Sequence, residues 1–305
     1  MKIAVMGVGG VGGYYGGKLA SSYASSDEHQ IFFIARGEHL KAIRKEGLTL
    51  ITPTERFTSA PDAATDNPEE LGPLDLVLFC VKGYGLEDAV RLIGPNIHAD
   101  SIVIPLLNGV DNAERIRNVL KKGIVMNGCV YISSHIEKPG VIEQTGGSCK
   151  LLFGPENNSS EVYQDIEDLL VNAGINASLS ENIAVDVWTK YIFIGPVAGL
   201  SAVLQLPLGA IMEDEKNRRM LEGMMKEVAS IAVAQGIDLP GNIVSSSLAM
   251  TNNFPYDTKT SLQLDREKGN PMEVDTFIGY IVKTGKTLGI ATPLYEEILS
   301  VLTGT

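Results

Sequence analysis

The stretch Ile3-Ala4-Val5-Met6-Gly7-Val8-Gly9-Gly10-Val11-Gly12 decides how this chain is read. An apolar run of strand character meets glycines spaced G-x-G-x-x-G, at Gly7, Gly9 and Gly12. A helical pattern follows through Tyr14, Leu19 and Ala20, and a second apolar run, Ile31-Phe32-Phe33-Ile34-Ala35, ends at Arg36. The order is strand, tight turn, helix, strand. Each glycine has its own task in such a turn. Gly7 permits the sharp exit from the strand, Gly9 lets the backbone approach a pyrophosphate, and Gly12 lets the helix lie close to the sheet. The helix then aims its free N–H groups and its positive dipole end at the phosphates. Gly7, Val8, Gly9, Gly10, Val11 and Gly12 are therefore expected to form a dinucleotide-binding turn. The same glycines interrupt the apolar core, so the segment reads poorly as a signal peptide.

Working outward, the end of the second strand speaks to the cofactor. An NAD site usually places Asp or Glu there to bind the ribose 2′-OH. This chain has Ala35-Arg36 and no acid. A guanidinium forks a phosphate with two parallel hydrogen bonds, so NADP(H) is the expected cofactor. The alternative for Arg36 is an ordinary exposed arginine.

Alternating strand and helix patterns continue from there. The run Leu74-Asp75-Leu76-Val77-Leu78-Phe79-Cys80-Val81 is nearly all apolar, as in a strand covered on both faces. Residues 101–107 form a second such run. Helical patterns occupy 38–46, 86–93, 112–120 and 161–173. Shorter strand pieces are expected at 48–51, 129–132, 140–144 and 150–153. The alternation predicts an α/β, Rossmann-type doubly wound parallel sheet over residues 1–180. Beyond it the strand signals fade. Helical patterns at 183–206, 213–235 and 274–288 predict a mostly helical C-terminal domain over 181–305.

Composition narrows the function. The chain has 305 residues, 44% hydrophobic and 20% charged, enough to bury sizeable cores. Its net charge is −12, from 25 basic and 37 acidic residues. That excess argues against nucleic acid or an anionic membrane as partner. Cys80, Cys129 and Cys149 show no metal-ligand spacing, and their odd number fits a reducing, cytoplasmic setting. The four histidines form no cluster, so no metal site is expected. The longest apolar stretch, 191–204, is short for a bilayer and contains Gly195-Pro196, so no membrane span is expected.

Ligands of open α/β sheets bind beyond the carboxyl ends of the strands. Lys82 and Asn108 sit at two such ends, each followed by glycine. Lys82 can meet a phosphate or the nicotinamide end of the cofactor. Asn108 can hydrogen-bond nicotinamide or a carbonyl substrate, although Asn-Gly is also a common turn pair. Lys190 lies in a mostly apolar helix. Low dielectric lowers a lysine's proton affinity and suits it to proton transfer; the alternative is a side chain that snorkels to water. Glu273 follows Gly269-Asn270-Pro271-Met272 and also reads as the reciprocal cap of a helix opened by Asn270. Ser261 also reads as a helix cap.

Taken together, the glycine turn, Arg36, Cys80-Val81-Lys82, Leu107-Asn108-Gly109, Trp188-Thr189-Lys190, and Ser261 followed twelve residues later by Glu273 resemble the ketopantoate reductase (2-dehydropantoate 2-reductase) family over essentially the whole chain. The resemblance implies NADPH-dependent reduction of 2-dehydropantoate to pantoate, a step toward pantothenate and coenzyme A. It implies that Lys190 is the general acid and that Glu273 holds the substrate's hydroxyl end. Ser261 would contact the substrate, and Asn108 would touch both substrate and cofactor. The helical half would carry the substrate and any homodimer contact. One departure stands out. The family's reductases carry Asn four and eight residues after the lysine, where this chain has Ile194 and Ala198. Reduction of another small, more apolar 2-oxo acid is the alternative. A non-catalytic NADP(H) sensor is a third reading, but it would need neither Lys190 nor Glu273.

Overall fold

The computed structural model describes residues 1–156 and 160–304. The chain divides into two compact units, Met1–Leu107 with Asp111–Ile183, and Asn108–Val110 with Ala184–Thr305.

The first unit contains β1 (Lys2–Met6), α1 (Gly10–Ser22), β2 (Gln30–Ile34), α2 (Gly37–Glu46), β3 (Leu48–Ile51), β4 (Arg56–Ser59), β5 (Ala63–Thr65), β6 (Leu74–Phe79), α3 (Leu86–Ile93), β7 (Ile97–Pro105), α4 (Asn112–Val119), β8 (Ile124–Val125), β9 (Asn127–Lys138), β10 (Val141–Gly154), α5 (Gln164–Asn172) and β11 (Ala177–Leu179). Six strands form an all-parallel sheet in the order β5-β2-β1-β6-β7-β8. Counted along the chain within that sheet, this is 3-2-1-4-5-6, the doubly wound Rossmann order, and its winding reverses between β1 and β6. Ile3, Val5, Leu76, Leu78 and Ile104 belong to one buried cluster; Ala4, Met6, Val77, Phe79 and Val103 belong to another. Successive residues point to opposite faces of a strand, so both faces are covered. That is why these strands read as unbroken apolar runs.

The region 127–154 departs from the expected short pieces of the same sheet. β9 and β10 are long antiparallel partners running from Lys138↔Val141 to Asn127↔Gly154. They belong to a second, mixed sheet ordered β11-β10-β3-β4, with β9 beside β10. Register shifts break the ladder near Val141, Gln144 and Gly146, which disturbs the two-residue alternation that would mark a long strand in sequence. This second sheet covers α1. Tyr14, Tyr15 and Leu19 share a core with Ile142, Leu151 and Phe153. A Cβ on Gly13 would lie 2.3 Å from Ile142, and one on Gly16 would lie 2.9 Å from the Phe33 ring. The helix is thus rich in glycine because layers press on it from two sides.

The second unit is helical: α6 (Ile183–Leu204), α7 (Leu208–Glu213), α8 (Glu215–Ala234), α9 (Ile243–Met250), α10 (Ser261–Lys268), a π turn at Asp275–Gly279, α11 (Tyr280–Leu288) and α12 (Pro293–Thr303). Its core gathers Tyr191, Ile192 and Leu200 of α6, Met225 and Val228 of α8, Phe277 and Ile278 of the π turn, and Tyr295 of α12. α6 runs 22 residues without a break at Pro196, so the stretch judged too short in sequence is part of a helix long and apolar enough to cross a membrane. Its most apolar window is 72% buried, as in the core helix of a globular unit.

Candidate active site

The glycine turn is built as a close passage. β1 ends at Met6, and Gly7 turns with φ +95°, where a Cβ would lie 2.8 Å from Val81 Cγ1. Gly12 packs under it, with a Cβ position 2.0 Å from the Gly7 carbonyl oxygen. Gly10 touches β9, with a Cβ position 2.2 Å from the Ser134 carbonyl oxygen. Gly9 differs: nothing lies within 4 Å of a Cβ placed there. That open side faces the start of α1, whose N-terminus carries no side-chain cap. Three glycines are therefore held by protein, and the Cα of the fourth stays open at the start of the helix, where the first N–H groups lack intrahelical partners. Such a cradle suits a diphosphate.

β2 lies next to β1, and the Gly7 N–H donates to the Ile34 carbonyl at 3.0 Å. Arg36 follows, exposed, as the residue preceding α2. One turn on, His39 Nδ1 accepts the Gly140 N–H at 3.0 Å and so stitches α2 to the turn between β9 and β10. Burial pushes the His39 pKa down, and the backbone of Val8 in the glycine turn opposes this only in part. The folded state thus prefers the neutral ring. Stability from this source is full above the unfolded imidazole range near 6.5 and is lost as pH falls through the lower folded value. His39→Gln should lose less melting temperature between pH 7.5 and pH 5.5 than the unmodified chain. Parallel losses in the two proteins would remove His39 from the account.

Lys82 is exposed at the end of β6. The turn after it is clamped from α4: Arg115 donates from Nη2 to the Gly83 carbonyl at 2.5 Å and grips Glu87 of α3 with two hydrogen bonds, at 2.8 and 3.0 Å. The hydrogen bond to Arg115 holds the Glu87 carboxyl below its usual range. Sequence reading missed Arg115, because an arginine on an amphipathic helix carries no local signal of the carbonyl it will meet.

Asn108 leaves the strand end of β7 and clusters with the second unit. There Lys190 Nζ donates to Asn108 Oδ1 at 2.9 Å. The two residues are 82 positions apart in the chain, and the half-buried lysine ends on an oriented amide. At 100° per residue, Lys190, Phe193, Ile194, Val197 and Ser201 share one side of α6. The adjoining side docks on the π turn: Tyr191 Oη donates to the carbonyls of Thr276 and Phe277, at 2.9 and 3.0 Å. Glu273 lies two residues before that turn and is only 6% exposed.

Three local expectations change. The helix after Pro271 does not open at Asn270; Asn270 closes α10 by donating its N–H to the Asp265 carbonyl, and Glu273 precedes the π turn instead. Ser261 is not a cap but the exposed first residue of α10, whose cap is Thr260. Thr260 Oγ1 meets Ser201 Oγ at 2.8 Å, which anchors this end of α10 roughly 16 Å along α6 from Lys190. Ala198 is fully buried in the core and so does not share the partial exposure of Ile194.

These features meet a known pattern. The family model "Ketopantoate reductase PanE/ApbA" matches residues 3–158, and "Ketopantoate reductase PanE/ApbA C terminal" matches residues 182–305. The chain belongs to the ketopantoate reductase family. It is similar to the crystal structure of a PanE/ApbA family ketopantoate reductase from Ralstonia eutropha JMP134, with 30% identity, TM-score 0.90, and coverage of 99% of this chain and 97% of that one. A 2-dehydropantoate 2-reductase from Porphyromonas gingivalis W83 is 33% identical with TM-score 0.86 and 99% of each chain covered. An uncharacterized oxidoreductase, YkpB, from Bacillus subtilis (strain 168) is 28% identical over 98% of this chain and 96% of its own length. As a member of the ketopantoate reductase family the chain is an oxidoreductase using a nicotinamide cofactor.

Proposed function

We propose that this chain reduces a 2-oxo acid with NADPH, with 2-dehydropantoate the leading substrate. The observation that carries the reading is the Lys190–Asn108 hydrogen bond of 2.9 Å. A non-catalytic sensor has no use for an ammonium set on an amide in the helical unit. In this reading the Gly7–Gly12 turn holds the pyrophosphate, Arg36 meets the 2′-phosphate, and Lys82 meets the cofactor beyond the end of β6. The nicotinamide supplies hydride when bound. Lys190 holds a proton at Nζ, stabilises negative charge on the substrate oxygen as it builds, and then protonates it. Asn108 fixes the direction of that ammonium. Glu273 receives the substrate's hydroxyl end and Ser261 a more distant polar group. Residues 1–180 serve the cofactor and 181–305 the substrate. Cys80, Cys129 and Cys149, an odd number, fit work in a reducing cytoplasm.

NADPH oxidation by the purified chain against a panel of 2-oxo acids tests this directly; no turnover on any member would end the reading. The family departure adds a sharper expectation. Ile194 is partly exposed one turn beyond Lys190 and offers a substrate hydroxyl no partner. Ile194→Asn should raise kcat/KM for 2-dehydropantoate by roughly 2–12-fold, the equivalent of one neutral hydrogen bond at about 0.5–1.5 kcal/mol. The matching change at Ala198 would drive an amide into the core and is expected to cost stability instead. No gain from Ile194→Asn would mean that other groups already satisfy the hydroxyl.

A further inference from the structure

We infer that the part of the substrate next to the keto carbon rests on apolar side chains and that Phe254 sets a preference for hydrocarbon there. The inference rests on the reductase reading and narrows it to 2-oxo acids carrying a hydrocarbon group next to the keto carbon.

The argument starts on α6. Along the side that carries Lys190, Val197 is 3% exposed, whereas Lys190 and Ile194 stay partly open. Phe193 stands on the flank of this opening, 7% exposed, and Phe254 stacks on it with ring centroids 5.3 Å apart and planes 17° from parallel. Phe254 is itself 41% exposed. A half-bare aromatic ring usually signals a loose loop, but this loop is tied down at each step. The Phe254 N–H donates to the Thr251 carbonyl at 3.2 Å. The Tyr256 and Thr258 carbonyls each accept, at 2.9 Å, from the N–H groups of Gly209 and Leu208 at the start of α7. The Tyr256 ring lies on the bare Cα of Gly209, where a Cβ would come within 2.2 Å, and its hydroxyl donates to Glu213 at 2.9 Å. Thr260 then rejoins α6 at Ser201, 2.8 Å away.

The segment 254–260 therefore runs along α6 from Phe193 to Ser201, and its exposed ring stands at the end nearer Lys190. In this inference Ile194 and the stacked rings of Phe193 and Phe254, none with a polar side-chain atom, form the seat beside the Lys190–Asn108 pair. A carboxylate and keto oxygen belong at the Lys190–Asn108 end. A hydrocarbon group placed on the seat removes apolar surface from water on both partners. A hydroxyl placed there would give up hydrogen bonds to water for none in return.

The test compares pyruvate with 3-methyl-2-oxobutanoate, which adds two carbons to the same acyl end. Each substrate is measured twice: by NADPH oxidation, and by calorimetric binding to the protein saturated with NADP+. The branched acid should be favoured by about 10-fold or more in kcat/KM and in Kd. Phe254→Ala should cut that ratio to under about 3-fold. Phe254→Leu, still apolar, should keep most of it and guards against a folding artefact. Lys190-dependent turnover with a flat ratio, or a ratio indifferent to Phe254→Ala, overturns the inference and leaves the reductase standing. No turnover on either acid or on 2-dehydropantoate, with a binding preference that depends on Phe254, supports the apolar seat and overturns the reductase reading. No turnover on any of the three acids and no preference overturns both.

Discussion

Lys190→Ala lowers kcat by roughly 10²–10⁴-fold, the usual loss when a positioned general acid is removed. The expectation follows from geometry as much as from residue type. Nζ sits 2.9 Å from Asn108 Oδ1 on a helix that Tyr191 pins, one residue later, to the carbonyls of Thr276 and Phe277. In the proposed role the lysine would approach the reacting oxygen from a fixed base. Because its interaction strengthens as charge develops, kcat should fall more than KM rises. Lys190→Arg should not rescue the rate: a guanidinium keeps its proton at any working pH and stabilises charge without donating. Asn108→Ala should reduce kcat by a smaller factor, since the ammonium survives without its orienting amide. NADPH affinity in Lys190→Ala, measured by titration, should change little. Near-normal turnover in that variant would return Lys190 to a side chain that merely carries its charge toward water.

Arg36→Ala should remove most of the preference for NADPH over NADH. A charge-assisted contact to the 2′-phosphate contributes about 1–3 kcal/mol, or roughly 5- to 150-fold in the ratio of dissociation constants. Arg36 is exposed, so the preference in the unmodified protein should also shrink as salt rises. NADH binding should be indifferent to the substitution, since it brings no phosphate to that position. Equal affinities for the two cofactors before mutation would show that Arg36 is only a solvated arginine.

The site was legible in unequal parts. The shape of the glycine turn could be read because its backbone demands are local. Each glycine answers a backbone demand made within a few residues of itself, and the open Cα of Gly9 and the crowded ones of Gly7 and Gly12 match that local logic. Arg115 was invisible, since its role depends on a carbonyl 32 residues away. The caps around Ser261 and Glu273 were misread for a related reason. Thr260 and Ser261 are both cap residue types in sequence, and only the Gln263 N–H donating to Thr260 Oγ1 shows which one caps the helix.

By itself the sequence determined the doubly wound sheet, because strands covered on both faces must be apolar throughout and the intervening helices must be amphipathic. It also determined the tight glycine turn between β1 and α1. Tertiary structure alone decided that residues 127–154 build a second sheet over α1, since β10 pairs with the distant β3 and register shifts disturb the alternation along β9 and β10. It decided that Asn108 joins the helical unit and meets Lys190, that Ala198 belongs to the core while Ile194 does not, and that Phe254 stacks on Phe193 beside the opening. These are contacts across tens of residues. They follow from which surfaces pack together, and no periodicity within a single segment encodes that.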